Sequence, residues 1–346
     1  MIRFALIAAS TLGFFLTAAL GNLMVPLLRA FQDRQQKPEL PQQTTGRNDP
    51  DEEPERPAQP PTMGGLCLMV GVLAAVGVGW TAACVAEPQL LGTEGLFSTR
   101  LLIGLFGALL FGGVGLADDL ARIRRRSPLG LRRKTRLLLE AGAGAVVLVL
   151  LGAARCLPTG LALPGFGYVE LGVLAPLVWE LGLVALAECV RISDGVDGLV
   201  CGTAFAAMLG LMLAETVLGW FPLAVFPAAL AGSLMAFLLW NFHPAKLGLG
   251  SVGSLFLAGA LGCGPLCIGW PDLTLPLGLP YWLEGGMVVL QIVVFRASKD
   301  HRQLFRTAPL HRWMEVRGSS PVQIFYTFCV VALLGTALAL QWAKIS

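Results

Sequence analysis

Two adjacent carboxylates, Asp118 and Asp119, follow a stretch of chain, residues 101–114, that carries no charged side chain. Four arginines come shortly after them, within residues 122–126. Ionisable groups at the edge of a membrane segment are costly to keep, so carboxylates there can serve to handle a charge during a reaction. The alternative is that this stretch only marks the place where a membrane helix ends in water, and we expect both aspartates to lie at such a solvated end.

Four further motifs resemble this one in placing polar residues and glycine beside an apolar run. Within the third motif, Asp194 and Asp197 are three residues apart, a spacing that puts both side chains on one face. A single site built from several connections needs such motifs to meet at one side of the protein. The five motifs read "PPTMGG" (60–65), "GLADD" (115–119), "RISDGVDGL" (191–199), "LGLGSVGS" (247–254) and "RTAPLHRWMEVRG" (306–318).

The composition identifies the elements that must position these motifs. The chain has 346 residues, of which 55% are hydrophobic and 14% charged, whereas soluble domains carry about 25% charged residues. This deficit indicates an integral membrane protein. The net charge of +3 is too small to suggest a nucleic-acid partner. Eight cysteines without a CxxC pair or Cys/His cluster indicate small buried side chains rather than a metal site or a disulfide framework.

Apolar segments long enough to cross about 30 Å of hydrocarbon predict an all-α membrane protein with about ten transmembrane helices. We expect one multi-span domain, residues 1–346, and a flexible cytoplasmic loop at 30–61, which is rich in Pro, Gln and acidic residues. The predicted spans are 4–28, 63–86, 101–117, 137–154, 172–190, 199–219, 222–242, 255–270, 281–295 and 322–343.

Basic residues in the connections set the expected orientation. The connection 118–136 holds eight Lys or Arg and 296–317 holds six, while 87–100, 155–171 and 271–280 hold two or fewer. Both termini are therefore expected to face outward, with the connections after spans one, three, five, seven and nine in the cytoplasm. These are the connections that carry the five motifs. A single cytoplasmic active face fits them better than a transporter, whose polar groups would be scattered near the midplane around broken helices.

Taken in order, the motifs resemble those of the phospho-N-acetylmuramoyl-pentapeptide transferase family, within the polyprenyl-phosphate hexosamine-1-phosphate transferases. The resemblance covers nearly the whole chain. It rests on "PTMGG", on "FRTAPLH…E…G", on "NFHPAK…GSVGSLFLAGALG" (241–262) and on "LEGGMVVLQ" (283–291). The first two are specific for the peptidoglycan branch of that larger group.

The resemblance implies an enzyme of peptidoglycan precursor (lipid I) synthesis in the bacterial cytoplasmic membrane. Such an enzyme moves phospho-MurNAc-pentapeptide, or a related phospho-sugar, from a UDP-linked donor to undecaprenyl phosphate and releases UMP, with Mg²⁺ as cofactor. Phosphoryl transfer depends mostly on positioning and on neutralising charge, which suits carboxylates with a divalent metal, cationic side chains and glycine-rich loops. The lipid bilayer is a further partner. The oligomeric state stays open, with a homodimer among the options.

Roles carry over residue by residue. Asp118 and Asp119 match the family's catalytic aspartate pair and are the expected, weakened Mg²⁺ ligands. His311 matches the first residue of a triple-histidine run and is assigned to catalysis through phosphate. Asp194 and Asp197, with Gly195 between them, match the loop that holds the nucleoside part of the donor.

Four more residues complete the expected substrate site. Asn241 is expected near the uridine, and Arg136 stands where the family keeps a phosphate-binding lysine. Arg191 and Ser251 occupy positions where the family has an asparagine and a metal-binding aspartate. Gly248 replaces the aromatic residue that would stack on uracil.

These departures leave two hypotheses open. In the first, the chain is an active transferase with an altered donor preference and weaker metal dependence, in which the guanidinium of Arg191 takes over part of the role of Mg²⁺. In the second, it is a catalytically impaired paralogue that binds polyprenyl phosphate or a membrane partner. The intact aspartates and His311 favour the first hypothesis, while Ser251 and Gly248 favour the second.

Overall fold

The computed structural model describes residues 2–35, 60–92, 96–125, 130–163, 167–298, 304–305 and 307–345. Within them the chain is helical except for short connections and one small hairpin. The helices are α1 (Ile2–Gln35), α2 (Gly65–Ala86), α3 (Gln89–Gly92), α4 (Leu96–Arg125), α5 (Arg133–Ala153), α6 (Ala175–Ser193), α7 (Leu199–Val217), α8 (Val225–Asn241), α9 (Gly250–Ile268), α10 (Thr274–Leu277), α11 (Leu279–Ala297), α12 (Leu310–Val316) and α13 (Pro321–Ile345).

The prediction of about ten membrane helices is confirmed in number. Nine helices among the described residues are long and apolar enough to cross a membrane. A tenth crossing is available if the segments Pro271–Leu277 and Leu279–Ala297, bent by 80°, act as one broken span. The purely helical prediction missed an antiparallel hairpin, β1 (Gly160–Leu163) and β2 (Gly167–Glu170), in the connection between α5 and α6.

Helix α9 is the centre of the bundle, because residues 251–268 are all buried. Its side chains are mostly small, and α4 packs against it along much of its length. A Cβ on Gly115 of α4 would lie 2.1 Å from the Ser251 carbonyl oxygen, and one on Gly259 of α9 would lie 2.9 Å from Ala108 Cα. Glycine therefore permits a helix contact that a larger residue would separate. This contact sets the distance between Asp118 and Asp119 and the first turn of α9.

Two sequence expectations about element ends are wrong. The third span does not end in water near residue 117, since α4 continues to Arg125 and Asp118 and Asp119 are only 1% and 0% exposed. No Gly or Pro interrupts the chain between Gly115 and residue 128, so nothing in the sequence stops the helix there. The first residues of the loop expected at 30–61 are helical instead, because α1 reaches Gln35, and residues 36–59 lie outside the described part of the chain.

Candidate active site at one end of the helix bundle

The first and fourth motifs form a single unit at one end of the bundle. Gly64 N donates to Gly248 O and Gly65 N to Leu249 O, both at 2.9 Å, and Gly248 N donates to Pro61 O at 2.8 Å. These backbone bonds hold the entrance of α2 against the loop that leads into α9. The close packing leaves no room for a side chain at Gly64, where a Cβ would lie 2.7 Å from Gly248 O.

Asn241 joins this unit to the third motif. Its side-chain oxygen accepts a hydrogen bond from Gly198 N at 3.1 Å, and its Nδ2 donates to Leu247 O at 3.0 Å. The residue is 5% exposed. Sequence comparison assigned Asn241 to uridine binding, but in this structure its amide connects two loops, so it shapes the site through them.

The fifth motif reaches the same place through His311. A Cβ added to Gly195 would lie 2.3 Å from His311 Nε2, so the imidazole packs directly on the 194–198 loop. Glu284 of α11 accepts hydrogen bonds from the backbone N–H groups of Leu310 (3.0 Å) and His311 (3.1 Å), and one of its oxygens lies 3.2 Å from His311 Nδ1. The buried Glu284 carboxylate thus anchors α12. The motif "LEGGMVVLQ" contains Glu284, but no role was assigned to it from the sequence.

Residues of the first, third and fourth motifs, together with Arg122 and Asn241, line a polar cavity of about 300 Å³. Six of the expected site residues line it, which brings the third and fourth motifs to one surface. Asp118, Asp119, Arg136 and His311 are not in its lining but lie behind or beside it. The six expected residues in the lining are Arg191, Asp194, Gly195, Asp197, Asn241 and Ser251, and Arg122 and Gly248 join them.

Hydrogen bonds from both sides hold the Asp118 and Asp119 carboxylates. Asp118 Oδ1 accepts from Leu131 N and its Oδ2 from Ser251 Oγ, each at 2.8 Å. Asp119 Oδ2 accepts from Val252 N at 3.0 Å, in the first turn of α9. A carboxylate at that end of a 19-residue helix also benefits from the helix dipole. The pair therefore joins α4 to the start of α9.

Arg122 is a site residue that the sequence analysis attributed to topology alone. Its Nη2 lies 3.3 Å from Asp118 Oδ2 and its Nη1 lies 3.3 Å from Asp119 Oδ1. Nη2 also donates to Ser251 Oγ at 3.2 Å. The spacing of three and four residues on one helix was the available signal, since such residues are neighbours on a helix surface.

The arrangement does not fit a magnesium ion, although the resemblance implies one. Three of the four oxygens of Asp118 and Asp119 accept hydrogen bonds, and the fourth, Asp119 Oδ1, faces the guanidinium of Arg122. In proteins Mg²⁺ is usually bound in octahedral geometry by one or two carboxylates together with water and substrate phosphates, and here every oxygen of Asp118 and Asp119 already contacts a hydrogen-bond donor or the Arg122 guanidinium. Over the described residues, no group of three or more His, Cys, Asp or Glu side chains could hold a metal ion. The expected weak affinity for Mg²⁺ stays a prediction.

A second cluster of charges corrects the view of Arg136. The Glu188 carboxylate accepts from Arg136 Nε at 3.1 Å and lies 3.1 Å from Arg191 Nη2, and Arg136 Nε is 3.5 Å from Glu140 Oε1. Arg136 is 6% exposed and faces these glutamates, so it does not present its charge to the cavity. Arg191 is also paired but lines the cavity, with 29% of its side chain exposed.

Asp194 and Asp197 hold the cavity loop by one and two contacts, respectively. Asp194 Oδ2 accepts from Ser254 Oγ at 2.6 Å, and Asp197 Oδ2 accepts from Ala245 N at 3.1 Å and lies 2.9 Å from His243 Nδ1. Asp194 belongs to an exposed part of the loop, yet the surrounding protein removes water from its carboxyl and raises the pKa to about 6. The hydrogen bond from Ser254 lowers that pKa and only partly offsets the desolvation.

A bundle of membrane-length helices that gathers carboxylates, arginines and glycine-rich loops around one polar cavity defines a membrane enzyme suited to phosphate groups. Residues 101–268 match the family model described as glycosyl transferase family 4. The chain is 34% identical over 339 residues to a phospho-N-acetylmuramoyl-pentapeptide-transferase of Synechococcus sp. (strain JA-3-3Ab), covering 94% of this chain and 88% of that protein. It is 32% identical to a relative of the same description from Levilactobacillus brevis, with 95% of each chain covered.

The chain therefore belongs to the phospho-N-acetylmuramoyl-pentapeptide-transferase family of glycosyl-1-phosphate transferases. A similar relative from Acaryochloris marina, 31% identical, covers 93% of this chain. Family membership supports the enzyme hypothesis over the impaired paralogue.

Proposed function

We propose that the chain transfers phospho-MurNAc-pentapeptide, or a related phospho-sugar, from a UDP-linked donor to undecaprenyl phosphate in peptidoglycan precursor synthesis. The observation that carries this proposal is the convergence of four of the motif-bearing connections on one polar cavity of about 300 Å³, with His311 of the fifth packed against its 194–198 loop. In the proposed reaction an oxygen of the lipid phosphate bonds to the phosphorus attached to the sugar. The bond from that phosphorus to the bridging oxygen breaks, and UMP leaves with the bridging oxygen.

The cavity has the groups that this donor requires. Asp194 and Asp197 supply acceptors for N–H and O–H groups of the nucleoside, and Arg122 and Arg191 supply positive charge for the diphosphate. The backbone of Gly195, Gly248 and neighbouring residues lets a ligand approach the loops closely.

We also propose that the cavity faces the cytoplasm of a bacterium and that both termini lie outside the inner membrane. The support is the excess of Lys and Arg in the connections 118–136 and 296–317, which lie at the cavity end of the helices. A reporter enzyme that is active only outside the cytoplasm, fused after Ser346, tests this. Reporter activity is expected. An inactive reporter on a stably produced fusion protein would show that the orientation is the opposite one.

Transfer is tested with purified protein, UDP-MurNAc-pentapeptide and undecaprenyl phosphate in detergent, with UMP measured by chromatography. UMP release is expected only when both substrates are present. UDP-N-acetylglucosamine is assayed as the alternative donor. If undecaprenyl phosphate binds but no donor yields UMP, with or without Mg²⁺, the transferase proposal is wrong. The impaired paralogue that binds polyprenyl phosphate would then be the better description.

A further inference from the structure

The Arg122 guanidinium lies over both buried carboxylates of the site. Its two terminal nitrogens are each 3.3 Å from a different aspartate, Nη2 from Asp118 and Nη1 from Asp119. This is the place at which a cation would otherwise have to neutralise two adjacent negative charges. Because Arg122 lies one turn along the same helix, the cation is part of the chain and does not have to be recruited from solution.

Ser251 completes this arrangement. Its hydroxyl donates to Asp118 Oδ2 at 2.8 Å and lies 3.2 Å from Arg122 Nη2. A neutral hydroxyl can contact the carboxylate and the guanidinium together without adding charge. An aspartate here would add a third carboxylate and make the cluster more attractive to a divalent cation.

Arg122 is also available to a ligand. It lines the cavity, and one third of its side chain is exposed. A guanidinium has five N–H donors, and the contacts with Asp118, Asp119 and Ser251 do not use them all. Its Nε also lacks a hydrogen-bond partner within the described residues, but this atom is buried and is not among the donors open to a ligand. Guanidinium groups match phosphate oxygens in geometry and charge.

We propose that Arg122 is the resident cation of this site and binds the diphosphate of the donor in place of a divalent metal. This inference rests on the proposed function for the identity of the donor, and it assigns to Arg122 the role that the sequence analysis considered for Arg191. Arg191 lines the same cavity and is paired with Glu188, so it has a supporting role in this proposal.

Metal binding tests the inference without any assay of activity. Purified protein is titrated with Mn²⁺, and free Mn²⁺ is followed by electron paramagnetic resonance. The wild type should bind Mn²⁺ no tighter than the millimolar range, equivalent to about −4 kcal/mol. The double variant Arg122→Ala/Ser251→Asp should bind at least tenfold tighter. Arg124→Ala/Ser251→Asp is the matched control, because Arg124 is an exposed arginine on the same helix, and should gain less. Tight Mn²⁺ binding by the wild type would overturn the inference.

Binding of pyrophosphate tests the second part of the proposal, that Arg122 binds the diphosphate of the donor. Calorimetry with pyrophosphate in EDTA should show at least tenfold weaker binding to Arg122→Ala, partial retention in Arg122→Lys, and no change in Arg124→Ala. Thermal unfolding of each variant shows whether it is folded, and Arg122→Lys keeps the charge that holds the carboxylates. Equal binding by folded Arg122→Ala and wild type would refute the role of Arg122.

The activity assay separates this inference from the proposed function. Wild-type UMP release is expected to persist in EDTA. If it stops in EDTA and returns with Mg²⁺, the transferase proposal stands and the resident-cation inference is wrong. If no donor yields UMP, yet pyrophosphate binding in EDTA depends on Arg122, the resident cation stands and the transferase proposal fails.

Discussion

The two aspartate pairs of the site differ in what surrounds them. Asp118 and Asp119 are adjacent, almost fully buried, and held by Ser251, by Arg122 and by the first turn of α9. Asp194 and Asp197 lie in a loop at the cavity surface, and each makes one or two contacts.

This difference separates two functions that a motif comparison treats together. The enclosed pair has almost no free acceptor left, so it acts mainly by fixing a cation and a helix end. The cavity pair retains lone pairs on the surface where a ligand binds. We therefore expect substitutions in the enclosed pair to affect turnover and stability, and substitutions in the cavity pair to affect donor affinity.

The largest effect is expected for Asp119→Asn. The change removes the negative charge that holds Arg122 and weakens the hydrogen bond from Val252 N, so the guanidinium should shift. A misplacement of about 1 Å can cost roughly 100-fold in rate, and we expect UMP release to fall by about that factor. Weakening a charged hydrogen bond should also lower stability by about 1–3 kcal/mol.

Asp197→Asn is the control for this prediction. It should change the maximal rate by much less than Asp119→Asn and leave thermal unfolding nearly unchanged. Similar maximal rates in Asp119→Asn and Asp197→Asn would erase the distinction between the two pairs.

A second prediction concerns the boundary between the cavity loop and the rest of the site. Asn241→Ala leaves the buried Gly198 N–H and Leu247 carbonyl without their partner, at about 1–3 kcal/mol each. We expect a lower unfolding temperature and a rise in donor KM larger than the fall in maximal rate. Asn241→Asp keeps the acceptor for Gly198 and should lie between wild type and alanine. Normal donor KM in a destabilised Asn241→Ala would show that the two loops do not need this connection to bind substrate.

Much of the fold follows from the sequence because bilayer thickness fixes how long an apolar run must be. The membrane-length helices were readable for that reason, nine among the described residues and a tenth if the bent pair is one span, and the basic connections predicted that the five motifs share one side. The hairpin Gly160–Glu170 was not, because its strands are short and lie in a connection where hydropathy carries little information. The solvated end expected at Asp118 was wrong because hydropathy reports where apolar residues stop and not where a helix stops.

The sequence named several residues that the structure gathers at one cavity, but it did not indicate which side chains pair with one another. Asp194, Asp197 and Ser251 were found at the cavity as expected. The pairing of Arg136 with Glu188 and the anchoring of His311 by Glu284 join residues 52 and 27 positions apart in the chain. Such contacts depend on how helices pack, which a single sequence does not specify. Arg122 was overlooked because an arginine that follows a membrane span already has a topological explanation.

The third prediction uses the pKa of Asp194, about 6 in this structure. A carboxyl with that pKa is mostly ionised at pH 7 and mostly protonated at pH 5. If the ionised Asp194 carboxylate accepts hydrogen bonds from the nucleoside, the affinity of the protein for a UDP-sugar should fall roughly tenfold from pH 7 to pH 5, because the carboxyl becomes protonated. The diphosphate of the ligand does not titrate in this range, so calorimetry at both pH values measures the protein. Asp194→Asn should bind more weakly at pH 7 and show a flatter pH dependence. An unchanged slope in the variant would assign the titration to another group.

The smallest expected effect is a gain at Gly248, which lines the same cavity as Asp194 and Asp197. A Cβ there would lie 3.4 Å from Pro61 O, an ordinary contact, so the position accepts a side chain without a change in the backbone. Stacking of a base on an aromatic ring is worth roughly 1–3 kcal/mol. An aromatic ring added in a loop should contribute about the lower of these free energies, which corresponds to about fivefold tighter binding of UMP to Gly248→Phe. Gly248→Leu adds apolar surface without a flat ring and should gain less. If both variants are folded and bind UMP equally or more weakly than wild type, the base does not lie beside residue 248, and the nucleoside belongs closer to Asp194 and Asp197.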